Sequence, residues 1–227
     1  METPGTLSVV ATPIGNMEDI TLRALRVLNE ADYILCEDTR VTGKLLARHE
    51  IKTRMRRYDA HTSDKAHLDI INDMENGMHL ALVSDAGTPG VSDPGVLLVQ
   101  KARAVGARVD AIPGASAVTA AFSIAGLTGN QFSFLGFAPQ KKGRKTFFES
   151  LPSFDRPVIF FESTHRIMKA LESLQDLASN HPINCQIGRE LTKMHEEMLV
   201  GTPTEIIAIL EAEPVRQKGE FVIIVSQ

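Results

Sequence analysis

The chain has 227 residues, 43% of them hydrophobic and 23% charged, with two cysteines and a formal net charge of −4. This is an ordinary soluble, globular composition with enough length for one large core or two modest ones, and its mild negative charge argues against a protein that coats nucleic acid nonspecifically. No apolar run approaches the ~20 residues that span a bilayer. A basic start followed by an apolar stretch, the mark of a secretory signal, is also absent, so the expectation is a cytoplasmic protein with no membrane association.

Residues 6–11 read as a first strand, broken by Thr12-Pro13-Ile14-Gly15-Asn16. A helix follows, with Leu22, Leu25, Val27 and Leu28 close to helical spacing. A short strand is predicted at 32–36, a helix at 42–50, and a helix at 65–76 stopped by Gly77. The apolar run 79–83 reads as a buried strand, 96–102 as a helix ended by Gly106, and 108–112 as a strand. Pro113-Gly114-Ala115-Ser116 then leads into a small-residue helix through Ile124. Strands alternating with helices predict a mostly parallel sheet. The second half is different in texture. It has an aromatic strand at 132–137, a polar glycine-containing loop at 141–145, a buried strand at 158–161 and a helix at 166–177. Strands at 185–187, 197–200 and 221–225 surround a helix at 205–210. The break between halves is placed near Gly114, giving α/β domains over 1–114 and 115–227. Cys36 and Cys185 lie in apolar strand-like runs and read as buried free thiols.

The loop 84–95 is the most informative segment. A strand that opens into a Gly/Pro/Asp loop and then a helix is where open α/β sheets place ligands. Gly87, Gly90 and Gly95 allow positive φ and close backbone approach. Asp93 is expected to cap the next helix, with Pro94 at its first position. Asp85 then has no local capping duty, and its carboxylate can accept hydrogen bonds from a ligand; the loop also reads as a plain well-capped turn. Polar clusters follow three other strands: Glu37-Asp38-Thr39-Arg40, Glu162-Ser163-Thr164-His165-Arg166 and Gly188-Arg189-Glu190-Leu191-Thr192-Lys193. Thr164 reads as a helix cap. Several such clusters at strand ends can converge on one crevice. Phosphate-loop, dinucleotide-fingerprint and serine-elbow motifs are absent. No Cys/His spacing suits zinc; His61 and His67 lie six apart without partners, so no metal is expected. Two basic clusters, Lys52/Arg54/Arg56/Arg57 and Lys141/Lys142/Arg144/Lys145, read by default as solvated surface.

Taken in order, these segments resemble one family. They are Ala11-Thr12-Pro13-Ile14-Gly15-Asn16, Glu37-Asp38-Thr39-Arg40, residues 84–89, Pro113-Gly114-Ala115-Ser116-Ala117, Phe161-Glu162-Ser163-Thr164-His165-Arg166, Arg189-Glu190-Leu191-Thr192-Lys193 and Lys218-Gly219-Glu220. The chain resembles the bacterial ribosomal RNA small-subunit 2′-O-ribose cytidine methyltransferases of the tetrapyrrole methylase superfamily, from about Leu7 to Val225. The resemblance implies two α/β domains with S-adenosylmethionine in a cleft between them, and a homodimer. By analogy Pro13, Asp85, Gly87, Thr88, Ser116, Ala117, Phe161 and Leu191 line the cofactor site. The implied substrate is a cytidine ribose in the decoding region of the small-subunit RNA, which makes that RNA the partner. The family often carries His-Asn-Glu where this chain has His61-Thr62-Ser63, and Pro-Gly-Pro where it has Pro113-Gly114-Ala115. Many members also continue into a small helical domain past the position of Gln227.

Ribose methylation requires an aligned 2′-oxygen and an exit for its proton. Glu162, Asp38 and a neutral Lys193 are the candidate bases, and Lys193 is alternatively an orienting group. Arg40, Arg144 and Arg166 are candidate phosphate partners. Two further readings stay open: carbon methylation of a tetrapyrrole, and a cofactor-binding ribosome-associated protein with little catalysis.

Overall fold

The computed structural model describes residues 4–227. The chain forms two compact units, one ending at Ser116 and the other running from Ala117 to Gln227. The first contains β1 (Thr6–Val10), α1 (Leu22–Glu30), β2 (Tyr33–Cys36), α2 (Thr39–Arg48), β3 (Met55–Arg57), α3 (Asp64–Glu75), β4 (His79–Leu82), α4 (Val96–Ala104) and β5 (Arg108–Ile112). Its five strands form one sheet in the order β3-β2-β4-β1-β5, with every pairing parallel. Alternation along the strands sorts the core onto two faces. Leu7, Leu35, Leu80 and Leu82 pack with Ile70, Met74 and Leu98 from α3 and α4. Val10, Ile34, Cys36, Ala81 and Val83 pack with Ala24 and Leu28 of α1.

Local chemistry explains most helix ends. The Thr21, Asp38 and Ser63 side chains accept backbone amides of α1, α2 and α3. Gly77, at φ +84°, follows the C-terminus of α3 as the sequence predicts. Two details differ from expectation. Asp93 does not cap α4; the cap is Gly95, at φ +143°, with no side-chain hydrogen bond. A Cβ on Gly95 would sit 2.9 Å from a Leu82 methyl, so close packing on β4 selects glycine there. The strand β3 falls within a segment whose sequence predicts only a basic surface. Its Met-Arg-Arg sequence has no fully buried residue, so periodicity does not mark it.

The second unit contains α5 (Ala117–Ile124), β6 (Ser133–Phe137), α6 (Arg144–Ser150), β7 (Val158–Ser163), α7 (Ile167–Ala178), β8 (Asn184–Arg189), β9 (Glu197–Gly201), α8 (Pro203–Ala212) and β10 (Glu220–Ser226). The sheet order is β6-β7-β10-β8-β9; only β6 and β7 pair in parallel. The parallel arrangement expected from the alternation of elements therefore holds for the first unit, and the second sheet is mixed. Phe160, Ile187, Phe221 and Ile223 pack against Leu171, Leu174, Ile206 and Leu210 of α7 and α8. Thr202 and Glu205 form a capping box at the start of α8. The segment read as a polar loop at 141–145 becomes helical from Arg144. Thr164 does not cap α7, whose N-cap is Arg166. Cys36 and Cys185 are buried and free. Among the described residues, no helix is long and apolar enough to cross a membrane.

Candidate functional site

In the first unit the parallel strands all present their C-terminal ends on one edge, where open α/β sheets bind ligands. Four loops meet there. Thr12, after β1, exchanges both backbone hydrogen bonds with Gly87, after β4, at 2.9 and 3.1 Å. The Thr12 hydroxyl donates to the Ser84 carbonyl at 3.1 Å. Thr88 donates to the Ala115 carbonyl, after β5, at 3.4 Å. The Asp38 amide, after β2, donates to Asp85 Oδ1 at 3.2 Å. Pro13, Asp38, Arg40, Asp85, Gly87, Thr88 and Ser116 thus belong to one cluster of neighbouring loops. Gly87 has φ +77°, and a Cβ there would lie 3.4 Å from an Ile14 methyl. A Cβ on Gly114 would come within 3.0 Å of the Ala11 Cβ. Glycine is selected at 87 by its left-handed backbone and at 114 by close packing on Ala11. The exposed polar edge of these backbones, with the Asp85 carboxylate, fits a ligand carrying hydroxyl or amino donors.

A cavity of about 500 Å³ opens beside this cluster, lined by Glu37, Arg40, Arg57, His61 and Asp85 among others. That volume suits a nucleotide-sized group. Its charges are unevenly matched. Asp38 is gripped by Arg40, whose Nη2 lies 2.6 Å from Oδ2 and whose amide also donates to Oδ1 at 2.8 Å. Those bonds lower its carboxyl to about pKa 2. Asp59 accepts from Arg57 Nε and the His61 amide, each at 2.8 Å. Glu37 is different. Its Oε1 is buried without a hydrogen-bond partner. Burial, then the charges of Asp93 and Asp85, raise its pKa to about 7. Asp93 itself is raised to about 6, chiefly by burial, although the Ser84 hydroxyl bonds it. Sequence alone marks Asp38 in this segment and not its neighbour Glu37. Position directly after the wholly buried β2 is the one signal that marks Glu37. Arg57 and His61 also line the cavity without a sequence signal. The substituted Thr62 and Ser63 serve the local turn: Thr62 accepts the Asp59 amide and Ser63 caps α3.

In the second unit the polar segments close on one another. Glu162, with a side chain 0% exposed, accepts from Arg144 Nη1 at 2.7 Å, Arg166 Nε at 2.9 Å and the Ser163 amide at 2.8 Å. Arg144 also donates to the Pro139 carbonyl and lies over the Phe148 ring. Lys193 Nζ lies 3.0 Å from both Glu190 Oε1 and Glu220 Oε2. Burial acts to lower the Lys193 pKa, but the bonds to Glu190 and Glu220 outweigh it and the net shift is upward. Glu190 and Thr192 adopt φ +50° and +66° on either side of Leu191. Leu191 packs on Gly188, where a Cβ would come within 3.0 Å of it. Thr164 donates to the Gly219 carbonyl at 2.6 Å and accepts the Gly219 amide at 2.9 Å. Phe161 stands in β7 against Phe134 and Phe137, and Ala117 opens α5.

The three candidate bases are each engaged by neighbouring groups. Both Glu162 oxygens are engaged in a closed site, Asp38 is held ionised by Arg40, and Lys193 is held as an ammonium. Arg144 and Arg166 are bound to Glu162 rather than displayed to solvent. Among the described residues no group of His, Cys, Asp and Glu is arranged to hold a metal ion.

This architecture has known counterparts. The family model described as Tetrapyrrole (Corrin/Porphyrin) Methylases matches residues 6–207, and the chain belongs to that family of methyltransferases. It is 45% identical over 227 residues to ribosomal RNA small subunit methyltransferase I of Xylella fastidiosa, covering 100% of this chain and 83% of that protein. It is 39% identical over 222 residues to the Thermotoga maritima protein of the same name, covering 98% of each. Among solved structures, a diphthine synthase superposes with a TM-score of 0.71 at 15% identity, covering 98% of this chain and 90% of that one. Uroporphyrin-III C-methyl transferase from Thermus thermophilus, complexed with S-adenyl homocysteine, superposes with a TM-score of 0.65 at 17% identity, covering 97% of each chain.

Proposed function

We propose that this chain transfers a methyl group from S-adenosylmethionine to the ribose 2′-oxygen of a cytidine in the decoding region of small-subunit ribosomal RNA, acting in the cytoplasm as a homodimer. The observation that carries the reading is the meeting of the Thr12, Asp38, Asp85–Gly87 and Ala115 loops at the strand ends of the first unit, in a chain whose relatives are named for small-subunit RNA methylation. The relative solved with S-adenyl homocysteine supports the choice of cofactor.

The cofactor supplies an electrophilic methyl on a sulfonium. Asp85 and the backbone at Pro13, Gly87, Thr88 and Ser116 would hold it. Asp85, an exposed carboxylate, binds hydroxyl or amino groups; the glycine-lined backbone offers amides and carbonyls at close approach. Arg40 and Arg57 border the cavity and supply positive charge for RNA phosphate in an acidic protein. Arg144 and Arg166 together outweigh the one Glu162 carboxylate and leave a net positive charge there. Lys193, fixed by two carboxylates, orients a hydroxyl or phosphate as a donor.

The test is mass spectrometry of small-subunit RNA from a deletion strain. One cytidine ribose methyl is expected to be lost and to return on complementation, and purified protein should restore it on subunits from that strain. Unchanged RNA would overturn the reading. Light scattering is expected to give twice the 24.8 kDa chain mass, and a monomer at micromolar concentration would overturn the dimer.

A further inference from the structure

We propose that Glu37 is the residue that receives the substrate hydroxyl proton during methyl transfer, a proposal that rests on the methylation reading above. Three observations carry it. First, Glu37 follows β2 and lines the cavity of about 500 Å³ at the strand ends. Second, among the described residues its Oε1 is the one buried carboxylate oxygen without a hydrogen-bond partner. A buried acceptor is normally satisfied, so an unmet lone pair beside a cavity marks a place for a donor from a ligand. Third, the competing acids are engaged. Asp38 is held by Arg40, Asp59 by Arg57 and the His61 amide, Asp85 accepts the Asp38 amide, and Ser84 bonds Asp93.

The charged groups around Glu37 point the same way. Asp93, Asp85 and Asp59 repel its ionised form, while the Asp85 backbone amide favours it. Arg40 and Arg57 line the cavity but are paired with Asp38 and Asp59. With a pKa raised to about 7, Glu37 is ionised in good part at neutral pH and remains basic enough to take a proton. In the step, the hydroxyl oxygen forms a bond to the methyl carbon. The carbon–sulfur bond breaks with its electron pair left on sulfur, and the O–H proton passes to the Glu37 carboxylate.

The experiment compares wild type, Glu37→Gln and Glu37→Asp in single-turnover methylation of small subunits at saturating S-adenosylmethionine, from pH 6 to 9. Calorimetry with S-adenosylhomocysteine and a ¹³C-carboxyl NMR titration of the ligand-free proteins accompany it. Wild-type rates are expected to rise through an inflection near pH 7. E37Q should be slower by ~10²-fold at pH 8 and lack the inflection, and E37D should be slower but keep it. Product affinity should stay within about twofold, since the group acts on the proton and not on the cofactor. One carboxyl resonance should titrate near 7 in wild type and vanish in E37Q. A variant E37Q with wild-type rate and inflection overturns the proposal, as does a wild type in which no carboxyl titrates near 7. A wild type that methylates no subunit at any pH overturns the RNA reading instead. The NMR titration and product binding do not depend on RNA, so the two failures are distinguishable.

Discussion

Replacing Glu162 by Gln tests the electrostatic core of the second unit. The carboxylate is fully buried and accepts three hydrogen bonds, two from guanidinium groups whose side chains are 16% and 19% exposed. A bond to a charged group is worth about 1.5–3 kcal/mol, and removing one partner of a buried ion pair costs about 3–5 kcal/mol. Glutamine keeps the shape and one acceptor oxygen but turns an amide N–H₂ toward an arginine. Arg144 Nη2 is already buried without a partner, so its guanidinium has no ready substitute. We expect a loss of about 3 kcal/mol, which at a urea m-value of about 2 kcal/mol/M lowers the midpoint by roughly 1.5 M. Far-UV circular dichroism measures it. Hydrogen exchange across β7, β8 and β10 locates it. The only two tyrosines, Tyr33 and Tyr58, belong to the first unit, so tyrosine fluorescence serves as an internal comparison. A midpoint shift below about 0.3 M would mean that solvent screens the cluster like a surface pair, and the reasoning would fail.

Gly87→Val should lower S-adenosylhomocysteine affinity by at least ~10-fold, through positive φ and the contact with Ile14. Gly90→Ala, at φ +80° but with only a Val96 methyl 3.8 Å from the new Cβ, should strain the loop and spare binding; calorimetry that finds the two alike refutes the close-approach reading. Because folding raises the Glu37 pKa from 4.5 to about 7, its ionisation in the folded state costs stability as pH rises through that window. E37Q should therefore match wild type near pH 4 and be more stable at pH 8, and thermal melts showing the reverse order would sink this. Lys141, Lys142 and Lys145 are exposed while Arg144 is engaged with Glu162. The triple alanine variant of the lysines should weaken subunit binding and reduce its salt slope by up to about three; an unchanged slope makes them plain solvated surface.

Local pattern made much of the fold legible. The apolar run at β4, the Ser63 cap, Gly77 after α3 and the alternation that defines the first sheet are all written within a few residues of where they act. The features that escaped depend on partners far along the chain. Arg144 and Glu162 are 18 residues apart, and Thr164 meets Gly219 across 55. No cap or periodicity rule reaches that distance, so Arg144 read as loop and Thr164 as a cap. Asp93 carries the residue type of a cap, but the close packing of Gly95 on Leu82 moves the helix start. Glu37 escaped because burial of a lone oxygen is a property of the assembled loops. Its neighbour Asp38 is equally acidic in sequence and opposite in state: Arg40, two residues away, holds Asp38 ionised, while burial raises Glu37.

That contrast extends to the two polar clusters. In the second unit the carboxylates clustered at the strand ends have cations: Glu162 has two arginines, Glu190 and Glu220 share Lys193, and Glu197 binds Arg189 and Arg216. Such pairing fixes geometry beside Glu190 and Thr192, both of which adopt left-handed backbone conformations. In the first unit the half-buried Glu37 and Asp93 lie among other acids, an arrangement that burial and repulsion both oppose. A folded protein keeps an unfavourable arrangement of this kind where chemistry uses it. For a methyl transfer that releases a proton, the use is direct. Protonation of Glu37 removes one negative charge from the group formed with Asp85, Asp93 and Asp59, so the transfer that frees the substrate oxygen also relieves the repulsion stored in the site. The same burial, joined by repulsion from Asp93 and Asp85, that makes E37Q the more stable protein at pH 8 is what makes wild-type Glu37 a competent base there, and both measurements must move together.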